Sequence, residues 1–327
     1  MDKAMEKRNP IGAVCGKILR TRELSLGLLL IVMIVVLMTQ TSNFATTGNV
    51  RVLMQGMSVD MMIAIPMAIS LIAGNIDFSV GSTLCLTSAV AGLVMNGGAS
   101  GIVGIVVGLA LGGFLGFLNA VIINKLKVTP LVATLGTWMA YRGTALVVIG
   151  GTVANLPEDF TNFGRVEPLG IPITIIYMIV IVVAGILLIK YFNFFHNAYY
   201  IGSNKTSARL AGINNEKFIY VSYTITGIIS AFAGLVLAAR LGSASQNAGE
   251  GLEFRNVVGL LVGGVSMDGG EGTLIGAVMG VIMMQIVNNA IVLLYLNPSY
   301  TKVITGAILV LAVALDQFNK QKKLRGK

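Results

Sequence analysis

Five stretches of this chain, Leu24–Phe44, Phe78–Asn124, Pro168–Ile189, Phe218–Ala239 and Gly272–Thr301, contain no Asp, Glu, Lys or Arg. A helix that crosses a bilayer needs about 20 apolar residues, and Phe78–Asn124 is long enough to cross twice. Nothing else in the sequence restricts the fold so strongly. Soluble domains carry about 25% charged residues, whereas this chain of 327 residues carries 11%, against 55% hydrophobic ones. The runs are continuous Leu, Ile, Val, Ala, Met and Gly. A membrane β-barrel would show segments of about ten residues alternating apolar and polar. The expected fold is an all-α membrane protein, a polytopic bundle of about ten transmembrane helices with interrupted or re-entrant segments.

Cut at their turn residues, the runs give segments 24–42, 52–73, 79–96, 101–123, 130–150, 171–191, 217–239, 254–266, 272–295 and 301–318. The segment 254–266 is too short to span and is expected to be re-entrant. Three parts follow: a basic arm over 1–23, a transmembrane domain over 24–318, and a basic tail over 319–327. The arm carries Lys3, Lys7, Arg8, Lys17, Arg20 and Arg22, and the run behind it is long and lacks a small-residue cleavage site. It reads as a retained helix rather than a signal peptide, with no soluble domain ahead of it.

With the N-terminus inside and the segments alternating, the arm, Lys125, Lys127, Lys190, Lys205, Arg209, Lys217 and the tail fall on one side. Cytoplasmic loops of membrane proteins are enriched in Lys and Arg, so both ends are expected in the cytoplasm. The same enrichment accounts for the net charge of +9 without invoking nucleic acid. Cys15 and Cys85 are isolated, with no metal-ligand spacing, and read as structural filler.

The longest inside connection, 192–216, contains KTSARLAGI, a short helix-forming stretch stopped by Gly212. From composition it is either an interfacial amphipathic turn, which composition favours, or a docking element for a cytoplasmic partner. His196, the sole histidine, has no second histidine or acidic cluster nearby in sequence, which argues against metal binding.

Two polar breaks interrupt the oily runs. AGNIDFSVGSTL (73–84) holds Gly74, Asp77, Ser79, Gly81 and Ser82, and GGVSMDGGEGTL (263–274) holds Asp268, Glu271 and Gly272. Gly74, Asp77, Gly81, Thr83 and Leu84 are echoed by Gly264, Asp268, Gly272, Thr273 and Leu274, and LNAVII (118–123) by NNAIVL (288–293). The echo is either coincidence or an internal duplication of the kind transporters use to bring interrupted helices together. A helix that restarts in hydrocarbon must satisfy its free N–H groups, so Asp77 or Ser79 is expected to cap the following helix. Ion binding, proton relay or solute contact are the other readings of Asp77, and Asp268 and Glu271 divide in the same way.

Asp60 lies inside one apolar segment, where an acid costs about 2.5–3.5 kcal/mol on insertion scales. It either lines a polar path or hydrogen-bonds a neighbouring helix, and Pro66 is expected to kink the same segment. Trp138 and Tyr141 are expected to anchor an interface, with sugar stacking as the alternative. Arg142 is expected to snorkel or to pair with an acid. The sequence has no P-loop, no H-E-x-x-H, no G-x-S-x-G and no C-x-x-C, so no catalytic residue, cofactor or metal is expected.

GNIDFSVGS (74–82), TLGTWMAYRGTALVVIGG (134–151), GSNKTSARLAGINNEK (202–217), GEGLEFRNVVGLLVGGVSMDGGEGTLIGAVMGV (249–281) and GAILVLAVALDQ (306–317) resemble the permease subunits of bacterial ABC importers for ribose, xylose, related monosaccharides and the furanosyl autoinducer. The resemblance runs in order from about residue 45 to 318. It implies the ABC importer permease fold in the bacterial inner membrane. It implies as partners a cytoplasmic ABC ATPase subunit, an extracytoplasmic sugar-binding protein and a second permease copy, identical or a sister chain, with no nucleic acid. It also implies that the cytoplasmic coupling helix of that family falls on Lys205, Thr206, Ser207, Ala208, Arg209, Leu210, Ala211 and Gly212. The family commonly has Leu or Val at the place of Phe78 and an uncharged residue at that of Asp60. The rival reading is an ion-coupled secondary sugar transporter using Asp60 or Asp77. A membrane enzyme is a third, weakened by the lack of clustered acids, histidines or thiols.

Overall fold

The computed structural model describes residues 22–325. Cys15 and all but the last two residues of the basic arm lie outside the described residues, as do Gly326 and Lys327 of the tail. In chain order the helices are α1 (Arg22–Gln40), α2 (Thr47–Ile72), α3 (Val80–Asn96), α4 (Gly101–Lys125), α5 (Pro130–Ile149), α6 (Glu158–Arg165) and α7 (Ile173–Tyr191). They continue as α8 (Asn193–Ser203), α9 (Lys205–Leu210), α10 (Asn215–Leu241), α11 (Leu252–Val262), α12 (Leu274–Leu293) and α13 (Tyr300–Arg325). Eight of these, α1, α2, α4, α5, α7, α10, α12 and α13, are long and apolar enough to cross a membrane. The eight spans and the short helices α3 and α11 correspond to the ten segments cut from the sequence. α11, of 11 residues, is the short segment foreseen at 254–266.

Local chemistry sets several ends. Thr46 Oγ1 accepts the Asn49 N–H at the start of α2, and Pro130 opens α5, where its missing N–H costs nothing. α2 runs through Pro66 with regular helical backbone, so the kink expected there does not interrupt it.

The best-packed contact joins α4 to α10. Gly104, Gly108, Gly112 and Gly116 recur every four residues on one face of α4. A Cβ added at Gly112 would come within 2.6 Å of Gly227 O, and one at Gly116 within 3.0 Å of Tyr223 C. Small residues let two backbones approach, which matters in a bilayer because lipid tails remove the hydrophobic drive between helices. A second core surrounds α2, where Met62, Met67, Leu71 and Ile72 are fully enclosed together with Leu84, Val257 and Leu260.

The connections contain structure that hydropathy did not show. The segment between α5 and α7 carries α6 and a two-residue strand, Thr152–Val153 (β1), paired antiparallel with Ala244–Ser245 (β2) beyond α10. At the opposite end of the bundle, 192–216 is mostly helical, with α8 ahead of the short α9.

Candidate translocation site

The first break begins where α2 ends at Ile72. Gly74 turns the chain at φ 74°, and residues 75–79, buried and without regular secondary structure, then lead into α3. Asp77, 2% exposed, accepts the Ser79 N–H (2.8 Å) and the Ser79 hydroxyl (2.7 Å) on Oδ1. Asn119 of α4 donates to Ser79 Oγ at 2.8 Å, and Tyr223 of α10 donates from its hydroxyl to Ile76 O at 2.8 Å. Asp77 therefore satisfies the chain at the restart. The Ser79 side chain does not cap α3, because its hydroxyl is committed to Asp77. Ser82 is equally inward and donates to Ser79 O at 2.8 Å.

The second break, 263–273, is built on glycine. Gly264, Gly269, Gly270 and Gly272 take φ of 97°, 85°, 78° and 136°, a region that L side chains avoid. Asp268 and Glu271 are exposed, so the echo of Asp77 in Asp268 does not extend to the side chain's place. The breaks nonetheless meet: the Gly270 N–H donates to Ile72 O at 2.7 Å. Gly202 of α8 closes against both, since a Cβ there would strike Ile72 O, Gly270 N and, at 3.0 Å, Gly269 C.

Asp60 is 4% exposed in α2 and faces a partner that the sequence reading did not assign to it. Arg255 of α11 grips it with both forks, Nε to Oδ2 at 3.1 Å and Nη2 to Oδ1 at 3.2 Å. Gln285 of α12 also donates to Asp60 Oδ2, and Asn256 Nδ2 donates to the Asp60 carbonyl at 3.1 Å. Of the two readings left open, the bond to neighbouring helices is what the structure shows. A buried acid in this setting is tolerated because its charge is matched and its lone pairs are filled.

Arg255 also belongs to a cavity of about 660 Å³ at the end of the bundle remote from α9. Trp138, Glu253, Phe254, Asn288, Thr301, Lys302 and Thr305 are among its walls. Trp138 is half-buried with its ring edge-on to Phe254 at 6.0 Å, and Phe78 packs behind Phe254 at 5.2 Å. Tyr141 is buried and donates to Leu115 O at 3.1 Å. The interfacial anchoring expected for this pair therefore gives way to inward packing. Arg142 forms no ion pair among the described residues; its Nη1 donates to the carbonyls of Gln246 (3.2 Å) and Ala248 (2.8 Å), holding the loop ahead of α11. At the mouth, Lys302 meets Glu250 at 2.9 Å and holds that carboxyl below its ordinary range.

Glu253, 1% exposed, is the residue that sequence reading missed. The signal was available: EFR places two charges inside an 11-residue apolar helix, and intramembrane charge marks function more often than filler. Gly81 makes room for it, since a Cβ there would overlap Glu253 Oε2 and lie 2.7 Å from Gly249 O.

At the other end, α9 is capped on both sides. Asn204 Oδ1 accepts the Ser207 N–H at 2.9 Å. Gly212, at φ 81°, closes the helix with Gly212 N–H to Arg209 O and Ile213 N–H to Ala208 O, both 3.0 Å, the paired bonds of a Schellman stop. Ala208 is the buried member; Lys205, Thr206, Ser207, Arg209, Leu210, Ala211 and Gly212 are exposed, Leu210 at 85%. A groove of about 640 Å³ lies beside it, lined by Lys205, Arg209, Asn214 and Glu216. His196 packs its ring on Tyr199 and Tyr200, with Nδ1 3.2 Å from Ile189 O. Among the described residues no three His, Cys, Asp or Glu side chains gather as metal ligands.

Residues 48–313 match the family described as branched-chain amino acid transport system / permease component. The ribose import permease protein RbsC of Escherichia coli (strain K12) is 31% identical over 292 residues, covering 88% of this chain and 91% of that protein. The D-allose transport system permease protein AlsC of Escherichia coli (strain K12) is 32% identical over 276 residues, covering 84% and 85%. The autoinducer 2 import system permease protein LsrC of Enterobacter sp. (strain 638) is 29% identical over 300 residues, covering 91% and 88%. No solved structure matches. The interrupted helices, the exposed capped α9 and these similarities agree, and the chain belongs to the branched-chain amino acid transport system / permease component family.

Proposed function

We propose that this chain is the membrane-spanning subunit of an ATP-driven importer that moves a monosaccharide, ribose or a similar sugar, into the cell. The relatives' names supply the sugar class. The observation that carries the mechanism is α9, a short helix capped at both ends whose only buried side chain is Ala208. A helix with so little invested in its own protein is suited to a socket on another. In this reading a separate cytoplasmic ATPase subunit grips Lys205–Gly212, a sugar-binding protein docks at the opposite end, and a second copy or sister permease completes the path. The chain crosses the plasma membrane several times with both termini cytoplasmic. Residues 1–23 are a basic arm, 24–318 the permease domain with its coupling loop at 192–216, and 319–327 a basic tail.

Closure of the ATPases would move α9, and α8 would pass that motion to the point where Gly202 touches both breaks. Gly74, Asp77, Ser79, Gly81, Ser82, Asp268 and Gly272 then belong to the elements that rearrange, and Asp60 holds α11 in place through Arg255. An ion-coupled carrier would need an available carboxylate. The bidentate Arg255 pair occupies Asp60 and the Ser79 bonds occupy Asp77 Oδ1.

The test is D-ribose uptake by the complete transporter in vesicles loaded with ATP. Leu210→Glu, which changes a side chain 85% exposed, is expected to abolish uptake while leaving the melting temperature of the purified permease unchanged. Gly212→Asp is expected to abolish uptake also. Normal uptake by both variants, or uptake by the permease alone under an ion gradient, overturns the reading.

A further inference from the structure

The cavity at the end remote from α9 has the chemistry of a solute site, and its position beside Asp60, Arg255 and Gly81 gives those residues a common purpose. Its volume of about 660 Å³ falls within the range of about 300–1,000 Å³ typical of small-molecule sites. Its apolar wall is aromatic, Trp138 set edge-on to Phe254. Its polar wall is charged and held in position. Glu253 is 1% exposed; among the described residues its Oε2 and the indole Nε1 of Trp138 that faces it find no well-aligned hydrogen-bond partner, although the two lie close enough for the indole N–H to favour the carboxylate. Arg142 and Arg255 lie within electrostatic reach of this carboxylate. Arg255 cannot swing over to neutralise it because both its forks are tied to Asp60. Asn288 and Thr305 stand on the facing helices.

A buried carboxylate oxygen with no well-aligned donor costs about 1–3 kcal/mol, and a fold retains such a group where something else completes it. Polyhydroxylated ligands fit all sides of this site. Their C–H faces stack on aromatic rings, and their hydroxyls donate to carboxylates and accept from guanidinium and indole N–H groups. We infer that this cavity is a solute-binding subsite of the permease itself, taking a monosaccharide with Glu253 as hydroxyl acceptor, Trp138 as stacking wall and Arg255 as fixed donor. Gly81 is the floor that leaves the carboxylate its place. Asp60 is a positioning residue that acts through Arg255.

The inference rests on the proposed function, and the experiment separates the two. Trp138 is the only tryptophan in the chain, so its fluorescence reports this cavity directly. The full-length permease, reconstituted in lipid vesicles, is titrated with D-ribose, D-allose and L-leucine, and the complete transporter is assayed in parallel for uptake of the same three. A saturable fluorescence change with a sugar and none with leucine is expected. Glu253→Gln, which keeps the shape, is expected to raise the half-saturating sugar concentration about tenfold or more, the loss of one charged hydrogen bond. Thr305→Val, of equal volume, is expected to raise it about threefold and stands in should Glu253→Gln fail to reach the membrane. Sugar uptake without any saturable fluorescence change, or equal affinities in both variants, overturns the subsite and leaves the function standing. Uptake of leucine but of neither sugar overturns both.

Discussion

The two breaks in the bundle do one job with a different balance of burial, glycine turns and side-chain hydrogen bonds. The stretch 73–79 is mostly buried: the N–H groups of Ala73, Gly74 and Asn75 bond back to α2, and beyond them side chains take over, with Asp77 answering Ser79, Asn119 answering Ser79 in turn, and Tyr223 answering Ile76 O. The stretch 263–273 is partly exposed, turned by glycines at positive φ and bonded through Gly270 to Ile72 O, with Ser266 Oγ accepting the Asp268 N–H at 3.3 Å and Tyr199 donating to Gly272 O at 3.0 Å. A buried break has no water to complete its hydrogen bonds, so each polar atom needs a dedicated partner. An exposed one can leave part of the work to solvent and needs only a backbone that turns. Equivalent-looking aspartates, Asp77 and Asp268, consequently carry very different weight.

The sharpest way to break that contrast is to act where the two meet. Gly202→Val puts side-chain carbons against Ile72 O and Gly270 N. It is expected to destabilise by about 3 kcal/mol or more, since overpacked backbone has no rotamer to yield. Little folded protein should be recovered by size-exclusion chromatography in detergent, and wild-type recovery would refute the contact. Asp77→Ala comes next. It orphans the buried Ser79 N–H, which costs about 1–3 kcal/mol, readable as a lower midpoint in a thermal melt followed by circular dichroism. Asp77→Asn retains an acceptor oxygen and should recover about half of that loss. If Asn is as damaging as Ala, charge rather than hydrogen bonding is what the first break needs. Asp268→Ala should move the melt least, by about 1 kcal/mol or less, as befits an exposed carboxylate. A loss equal to that of Asp77→Ala would show the two breaks to be equivalent after all.

Much of this was readable without coordinates. Uncharged runs gave the spans because a helix is the cheapest way to carry backbone polar groups through hydrocarbon, and that requirement is local. Gly212 as the stop of a short helix was legible from KTSARLAG for the same reason: the Schellman bonds join residues within one turn. Asp60 was visible as an acid in the wrong place, yet its partner was not, because Arg255 lies 195 residues away in sequence and no periodicity links them. Trp138 and Tyr141 were misplaced through a statistical preference for interfaces, which inward packing on Phe254 and Leu115 O overrode. Glu253 is harder to read, because a helix of 11 residues is too short to mark its charges as lying within a span.

The sequence by itself settled class, span positions and the sites of both interruptions, since each depends on the chemistry of neighbouring residues over one or two helical turns. Only the tertiary structure decided that the interruptions touch, that α8 closes on them, and that Glu253, Arg255 and Trp138 share a cavity. Those outcomes depend on which helix faces are brought together. In a bilayer that choice is made by close packing of small residues such as Gly112 and Gly116 against α10, a shape match between distant segments rather than a property of either one.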